Sequence, residues 1–138
     1  MTDTATSALI AELARCLGVD TLPEANDGAI ALAVGDDVTV RLYPLTTDLM
    51  AVVPLAPLPA QPDPARMTRL LASNHFNAPL APFVVAADVQ ANLVLWGRVP
   101  MAGITGEQLA GLLGRLGGEA RRLREVIGVD DAEGAGST

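Results

Sequence analysis

Leu109, Leu112, Leu113, Leu116, Ala120, Leu123 and Ile127 recur at three- and four-residue spacings, and at 3.6 residues per turn they fall within roughly 100° of arc. That pattern predicts one helix over residues 105–127 with a single apolar stripe. Thr105 followed three residues later by Gln108 forms a capping box, which fixes where the helix starts. Gly128 suits the C′ position, and Arg121, Arg122 and Arg124 stand near the end where the helix dipole favours cations. An isolated stripe of this kind is not stable in water, so the rest of the chain must cover it.

The opposite face carries Gly111, Gly114 and Gly118, with Gly117 as a fourth glycine, each costing up to about 1 kcal/mol relative to alanine. Such a face either admits another backbone closely or is a tolerated cost in a chain with 13 glycines. The expectation is the tolerated cost.

Cover has to come from aliphatic residues, since only Tyr43, Phe76, Phe83 and Trp96 are aromatic in a chain that is 50% apolar. At 138 residues the chain suits one domain, expected over residues 1–129, with residues 130–138 an acidic, glycine-rich and disordered tail. The net charge of −7 argues against nucleic acid or an acidic membrane as partner. Residues 1–64 hold nine acidic groups against Arg15 and Arg41 alone. No window approaches the ~18 apolar residues of a membrane span, and the start Met1-Thr2-Asp3-Thr4 does not resemble a signal peptide. A cytoplasmic location without membrane insertion is expected.

A first helix is predicted over residues 4–17, with Leu9, Ile10, Leu13, Cys16 and Leu17 on one side and Gly18 ending it. Cys16 is expected to be a small buried hydrophobe. It is the only cysteine, and with His75 as the only histidine no usual zinc site or other cofactor site is expected.

After a polar turn over residues 23–28, Ile30, Leu32 and Val34 alternate with alanines, and Val38, Val40 and Leu42 alternate with Thr39, Arg41 and Tyr43. Gly35-Asp36-Asp37 turns the chain between them into an antiparallel hairpin. A third strand is expected over residues 49–53, ended by Pro54, Pro57, Pro59, Pro62 and Pro64, which read as an extended connector. Leu55-Ala56-Pro57-Leu58-Pro59 has no basic anchor that would make it a recognition motif. Asp63 before Pro64 is an N-cap followed by a proline at the first helical position, opening a short helix through Met67, Leu70 and Leu71 to about Asn74. Phe83, Val85 and Ala87 then alternate on a fourth strand, residues 88–91 turn, and residues 93–96 form a fifth.

The result is an α+β fold, an antiparallel five-stranded sheet with three helices in the order α-β-β-β-α-β-β-α, the helices against one face. No Gly-rich phosphate loop, Ser-His-Asp spacing, metal cluster or acid/base pair is present in the sequence, and His75 reads as a surface or helix-end residue. The chain is not expected to be an enzyme.

Leu70-Leu71-Ala72-Ser73-Asn74-His75-Phe76, the strand at residues 83–88, Leu93-Val94-Leu95-Trp96-Gly97-Arg98-Val99-Pro100 and the leucine-striped last helix together resemble the class I chaperones of type III secretion systems, the small acidic proteins related to the Tir chaperone. The matching segments cover about half of the chain. The resemblance implies a cytoplasmic homodimer that holds the N-terminal region of a secreted effector partly extended, soluble and competent for export, without using ATP. It also implies the ATPase of the secretion apparatus as a candidate partner. Carried onto this sequence, it places Met67, Leu70, Leu71, Phe83, Val85 and Trp96 at a dimer interface, and Ile10, Leu32, Val34, Val40 and Leu42 in effector-binding patches. An adaptor of the same fold that binds another secretion regulator is the alternative. The glycine-rich last helix and the proline-rich connector depart from the family pattern. Independently of any family, an uncovered sheet edge can accept an incoming strand through main-chain hydrogen bonds.

Overall fold

Eight elements follow one another as α1 (Thr4–Leu17), β1 (Ile30–Val34), β2 (Val38–Pro44), β3 (Asp48–Pro57), α2 (Pro64–Ala72), β4 (Val84–Ala87), β5 (Asn92–Pro100) and α3 (Gly106–Ile127). The computed structural model describes residues 4–19, 22, 28–34, 37–61, 63–74 and 83–128. The five strands form one antiparallel sheet in the order β1-β2-β3-β5-β4. The expected element order and sheet are therefore the observed ones. The predicted turn residues Gly35 and Asp36, the first part of the polar turn (23–27), Pro62, His75, Phe76 and the tail 130–138 lie outside the described residues.

α3 organises the helical layer, touching α1, α2 and strands β1, β2 and β3. Its capping box is complete: Thr105 Oγ1 accepts from the Gln108 N–H at 3.0 Å, and the Thr105 N–H donates to Gln108 Oε1 at 3.0 Å. Gly128 closes it in the left-handed region at φ 93°, its N–H donating to the Arg124 carbonyl at 2.9 Å. Leu109, Leu116, Ala120 and Leu123 are completely buried against Val38, Val40 and Leu42 of β2 and Leu49, Ala51 and Val53 of β3. Each buried leucine contributes about 1.5–3 kcal/mol of transfer free energy. Leu112, at the margin of the stripe, is only half-buried.

α1 ends as expected at Gly18 (φ 76°), where the Val19 N–H reaches back to the Ala14 carbonyl at 3.0 Å. Its buried side differs from the expectation. Thr6, Leu9, Leu13 and Ala14 face the core, whereas Cys16 is exposed and Leu17 is 43% exposed. Cys16 follows buried Leu13 by three residues and shares its side of the helix, so its exposure comes from its place on the last turn and not from its phase. Leu17 lies on the last turn, at the margin of the cover.

β3 runs through Pro54 to Pro57 and does not stop at the first proline. The reason is a split in the sheet. β2 pairs with β3 only up to Arg41 opposite Val52, and beyond that β3 keeps β5 alone. A proline on the open side forfeits no ladder bond. Arg124 of α3 fills the gap, its guanidinium donating to the carbonyls of Pro54 (2.9 Å), Leu55 (3.0 Å) and Asp37 (2.6 Å). The register shifts between Pro54 and Ala56, so Leu55 takes the extra position of a bulge.

β5 likewise extends past Trp96 to Pro100. Gly97 sits in its middle because the Phe83 ring lies against it: a Cβ there would stand 2.8 Å from ring carbons. α2 starts as predicted, with Asp63 Oδ1 accepting from the Ala65 N–H at 3.1 Å, and is tied to α3 by Arg66, which donates to the Ile127 carbonyl at 3.2 Å.

Candidate protein interface

A strand sends successive side chains to opposite faces, so each strand that buries one set under α3 presents another outside. On β2 the outer set is Arg41 and Tyr43, on β3 Met50, Val52 and Pro54, and on β5 Val94, Trp96 and Arg98, with Val84 and Ala86 on β4. The register aligns Arg41, Val52, Trp96 and Val84 in one row across four strands. Pro54, Val94 and Ala86 form the row on one side, and Tyr43, Met50 and Arg98 the row on the other. None of these belongs to the hydrophobic core beneath the helices. Arg41 Nε donates to the Tyr43 hydroxyl at 3.1 Å, and its guanidinium lies 5.9 Å from the Tyr43 ring centroid.

A shallow groove of about 560 Å³ opens on this face between Tyr43, Val52, Pro54, Val94 and the β4–β5 turn. The turn is held by Asp88, whose carboxylate accepts from the Gln90 N–H at 2.8 Å and the Asn92 N–H at 3.0 Å. The bond from Asn92 is the main reason its carboxyl stays below the usual carboxylate range, with the Gln90 bond adding to it. Ala91 accommodates the turn at φ 61°.

The residues named from sequence are split by this geometry. Leu32, Val40 and Leu42 are buried under the helices, Val34 is half-buried against Gly117 of α3, and Ile10 is half-buried on α1. Leu70, Phe83 and Val85 also belong to the core, with Met67 half-buried against it. Leu71 is 68% exposed and Trp96 half-buried on the outer face, so these two reach the surface. Sequence reasoning picked the aliphatic phase of β2 and passed over Arg41 and Tyr43. Their alternation with Val40 and Leu42 was the available signal.

The two edge strands, β1 and β4, are finished differently. On β4, the Asn74 side chain donates from Nδ2 to the Val85 carbonyl at 3.0 Å and accepts at Oδ1 from the Val85 N–H at 2.7 Å. One carboxamide thus occupies both groups that Val85 presents away from β5. On β1, Arg121 Nη2 donates to the Val34 carbonyl at 3.3 Å while its Nε holds Asp37 at 3.0 Å. Among the described residues, β1 has β2 as its only strand neighbour.

Among the described residues no group of three or more His, Cys, Asp or Glu side chains is placed to hold a metal, and no helix is long and apolar enough to cross a membrane. What the arrangement offers is apolar surface and main-chain hydrogen bonds, the means by which one protein holds another.

The sequence profile of the Tir chaperone protein (CesT) family matches residues 8–124. No curated protein sequence matches the chain. Among solved structures, the chain is similar to one in the heterodimeric ExoU-SpcU complex from the type III secretion system of Pseudomonas aeruginosa, with 27% identity, a TM-score of 0.72, and coverage of 86% of this chain and 97% of that one. It is also similar to a chain in the complex of the Yersinia pestis type III secretion chaperone SycH with a stable fragment of YscM2, with 25% identity, a TM-score of 0.68, and coverage of 85% and 98%. A chain of the ExoT-SpcS complex from Pseudomonas aeruginosa shares the fold at 22% identity, a TM-score of 0.68, and coverage of 89% and 100%.

Proposed function

The chain belongs to the Tir chaperone protein (CesT) family, the class I chaperones of type III secretion, and on that footing we propose that it binds the N-terminal region of a secreted effector in the cytoplasm and keeps it soluble and fit for export. This is a chaperone scaffold and not an enzyme. The observation that carries the reading is the family match across residues 8–124, joined to solved complexes in which a similar chain is found with a second protein. Holding is independent of ATP: it rests on burying apolar client surface and satisfying client main-chain groups, neither of which needs a chemical step. Delivery to the ATPase of the secretion apparatus would follow.

The client lies extended, adding a strand at the β1 edge and resting apolar side chains on surfaces beside it. Main-chain pairing tolerates varied client sequences because each residue offers the same donor and acceptor. Buried Leu32, Val40 and Leu42 support that surface from beneath, and Ile10 and Val34 stand at its margin.

Two copies pair through the α2 side of the molecule, where Leu71 projects into solvent, and through the outer face around Trp96. Leu71→Asp changes a side chain that contributes no core packing, so a folded monomer is the expected product by sedimentation and circular dichroism. A dimer unchanged by this substitution rejects that interface.

Co-expression with a secreted protein encoded beside it tests the function. A soluble complex with two chaperone chains per client is the expected result. Failure to hold any neighbouring or co-regulated secreted protein overturns the reading, and capture of a regulator alone would make the chain an adaptor.

A further inference from the structure

We propose that Asn74 is a plug on the β4 edge that makes the sheet receptive to strand addition at one edge only, β1. The inference deepens the functional reading, because it names the residue that decides which edge is available to a client.

The argument begins with the strand itself. In an antiparallel ladder the N–H and C=O of one residue point to the same side, and the side alternates along the chain. Asn74 bonds both groups of Val85, so Val85 faces away from β5, and by the same alternation so do Phe83 and Ala87. Among the described residues, the outward edge is therefore Val85 and Ala87 within β4 (Val84–Ala87), with Phe83 just before it. Successive outward residues of a strand stand about 7 Å apart, the spacing an incoming strand pairs against. With Val85 taken, Phe83 and Ala87 are left about 13 Å apart, too far to be read as neighbours.

A carboxamide suits the task because it carries the same carbonyl and N–H as a peptide unit and can make both bonds at once. It is also held in place. The Asn74 N–H donates to the Leu71 carbonyl at 3.0 Å, fixing the residue just past the end of α2, and Ser73 beneath it receives a bond from Arg122 of α3 at 3.3 Å. The plug is therefore anchored to the helical layer, and a competing strand must displace an ordered side chain. Edges of this kind otherwise pair with other chains.

Amide exchange on the wild-type protein is the first test. The Val85 amide should exchange at least about 100-fold more slowly than the Ala87 amide, although both point off the sheet. Equal, fast exchange at the two positions overturns the plug. Asn74→Ala is the second test. It should remove that protection and produce larger, concentration-dependent species in sedimentation, and adding Ala87→Lys, a charge on the reopened edge, should return the wild-type state. An Asn74→Ala protein that is folded and sediments as wild type overturns the proposal. If it does not fold, the wild-type exchange comparison stands alone as the test.

Failure of the functional reading looks different. A bound client that protects neither the β1 nor the β4 amides counts against strand addition. Protection along β4 with Asn74 intact counts against the plug.

Discussion

α3 carries glycine on two sides for opposite reasons. Where it meets the rest of the chain, a Cβ on Gly117 would stand 2.6 Å from Cγ1 of Val34, and one on Gly106 would stand 2.6 Å from the Glu12 side chain and 2.8 Å from its backbone. Close approach by β1 and α1 demands these two. On the outward face, a Cβ on Gly114 or Gly118 would have no atom of the described residues within 4 Å, and one on Gly111 would meet only Arg115 of its own helix at 3.9 Å among them. Composition cannot tell the two groups apart, since each glycine costs the helix up to about 1 kcal/mol wherever it sits. Packing tells them apart at once: the inward pair are required by contacts already made, and among the described residues no other element approaches the outward three.

The largest break in that contrast comes from the stripe itself. Leu116 is completely buried in the core, so Leu116→Ala should cost about 2–5 kcal/mol in urea unfolding through lost transfer energy and the cavity left behind. A loss under about 1 kcal/mol would mean the sheet collapses readily around the gap and does not fix α3 tightly. Gly117→Ala should cost less, about 1–2 kcal/mol, the clash with Val34 outweighing the gain in helix propensity. Val34 is β-branched and stiff, so it cannot rotate aside. Combining Gly117→Ala with Val34→Ala should recover most of that loss, a coupling of roughly 0.5–3 kcal/mol expected for residues in contact. Simple additivity would place the clash elsewhere.

The same division explains what could be read from the sequence. The stripe, the capping box at Thr105, the Asp63-Pro64 start of α2 and the Gly18 stop of α1 are local devices, each set by residues a few positions apart, and all are where the pattern put them. The pattern stops β3 before Pro54 and β5 before Gly97, because what lets both strands run on is distant in sequence, whereas Cys16 is exposed by its place on the last turn of α1. A split between β2 and β3, closed by Arg124, lets Pro54 stay in a strand. The Phe83 ring lets a glycine sit mid-strand. The outer face of the sheet was the least legible, since a period of two fixes which residues share a face and not which face the helices choose. Asn74 was visible as part of a family-like run, but its two bonds to Val85 span 11 positions and follow from no local rule.

The smallest effect is the most informative about partners. Gly114→Ala and Gly118→Ala should each raise stability by about 0.4–1 kcal/mol, since both are helical, have open space for a methyl group, and restrict the unfolded chain. The sign separates two meanings of the smooth face. If nothing approaches it, both variants gain stability, and their sedimentation and client binding match wild type. If a second chain packs there backbone to backbone, the added methyl groups hold it off, and association weakens while the isolated chain is still stabilised. Measuring unfolding and association on the same preparations reads both terms separately. The expected outcome is a gain in stability with association unchanged, because the proposed pairing uses Leu71 and the outer face of the sheet, and the glycine face offers no side chain to bury.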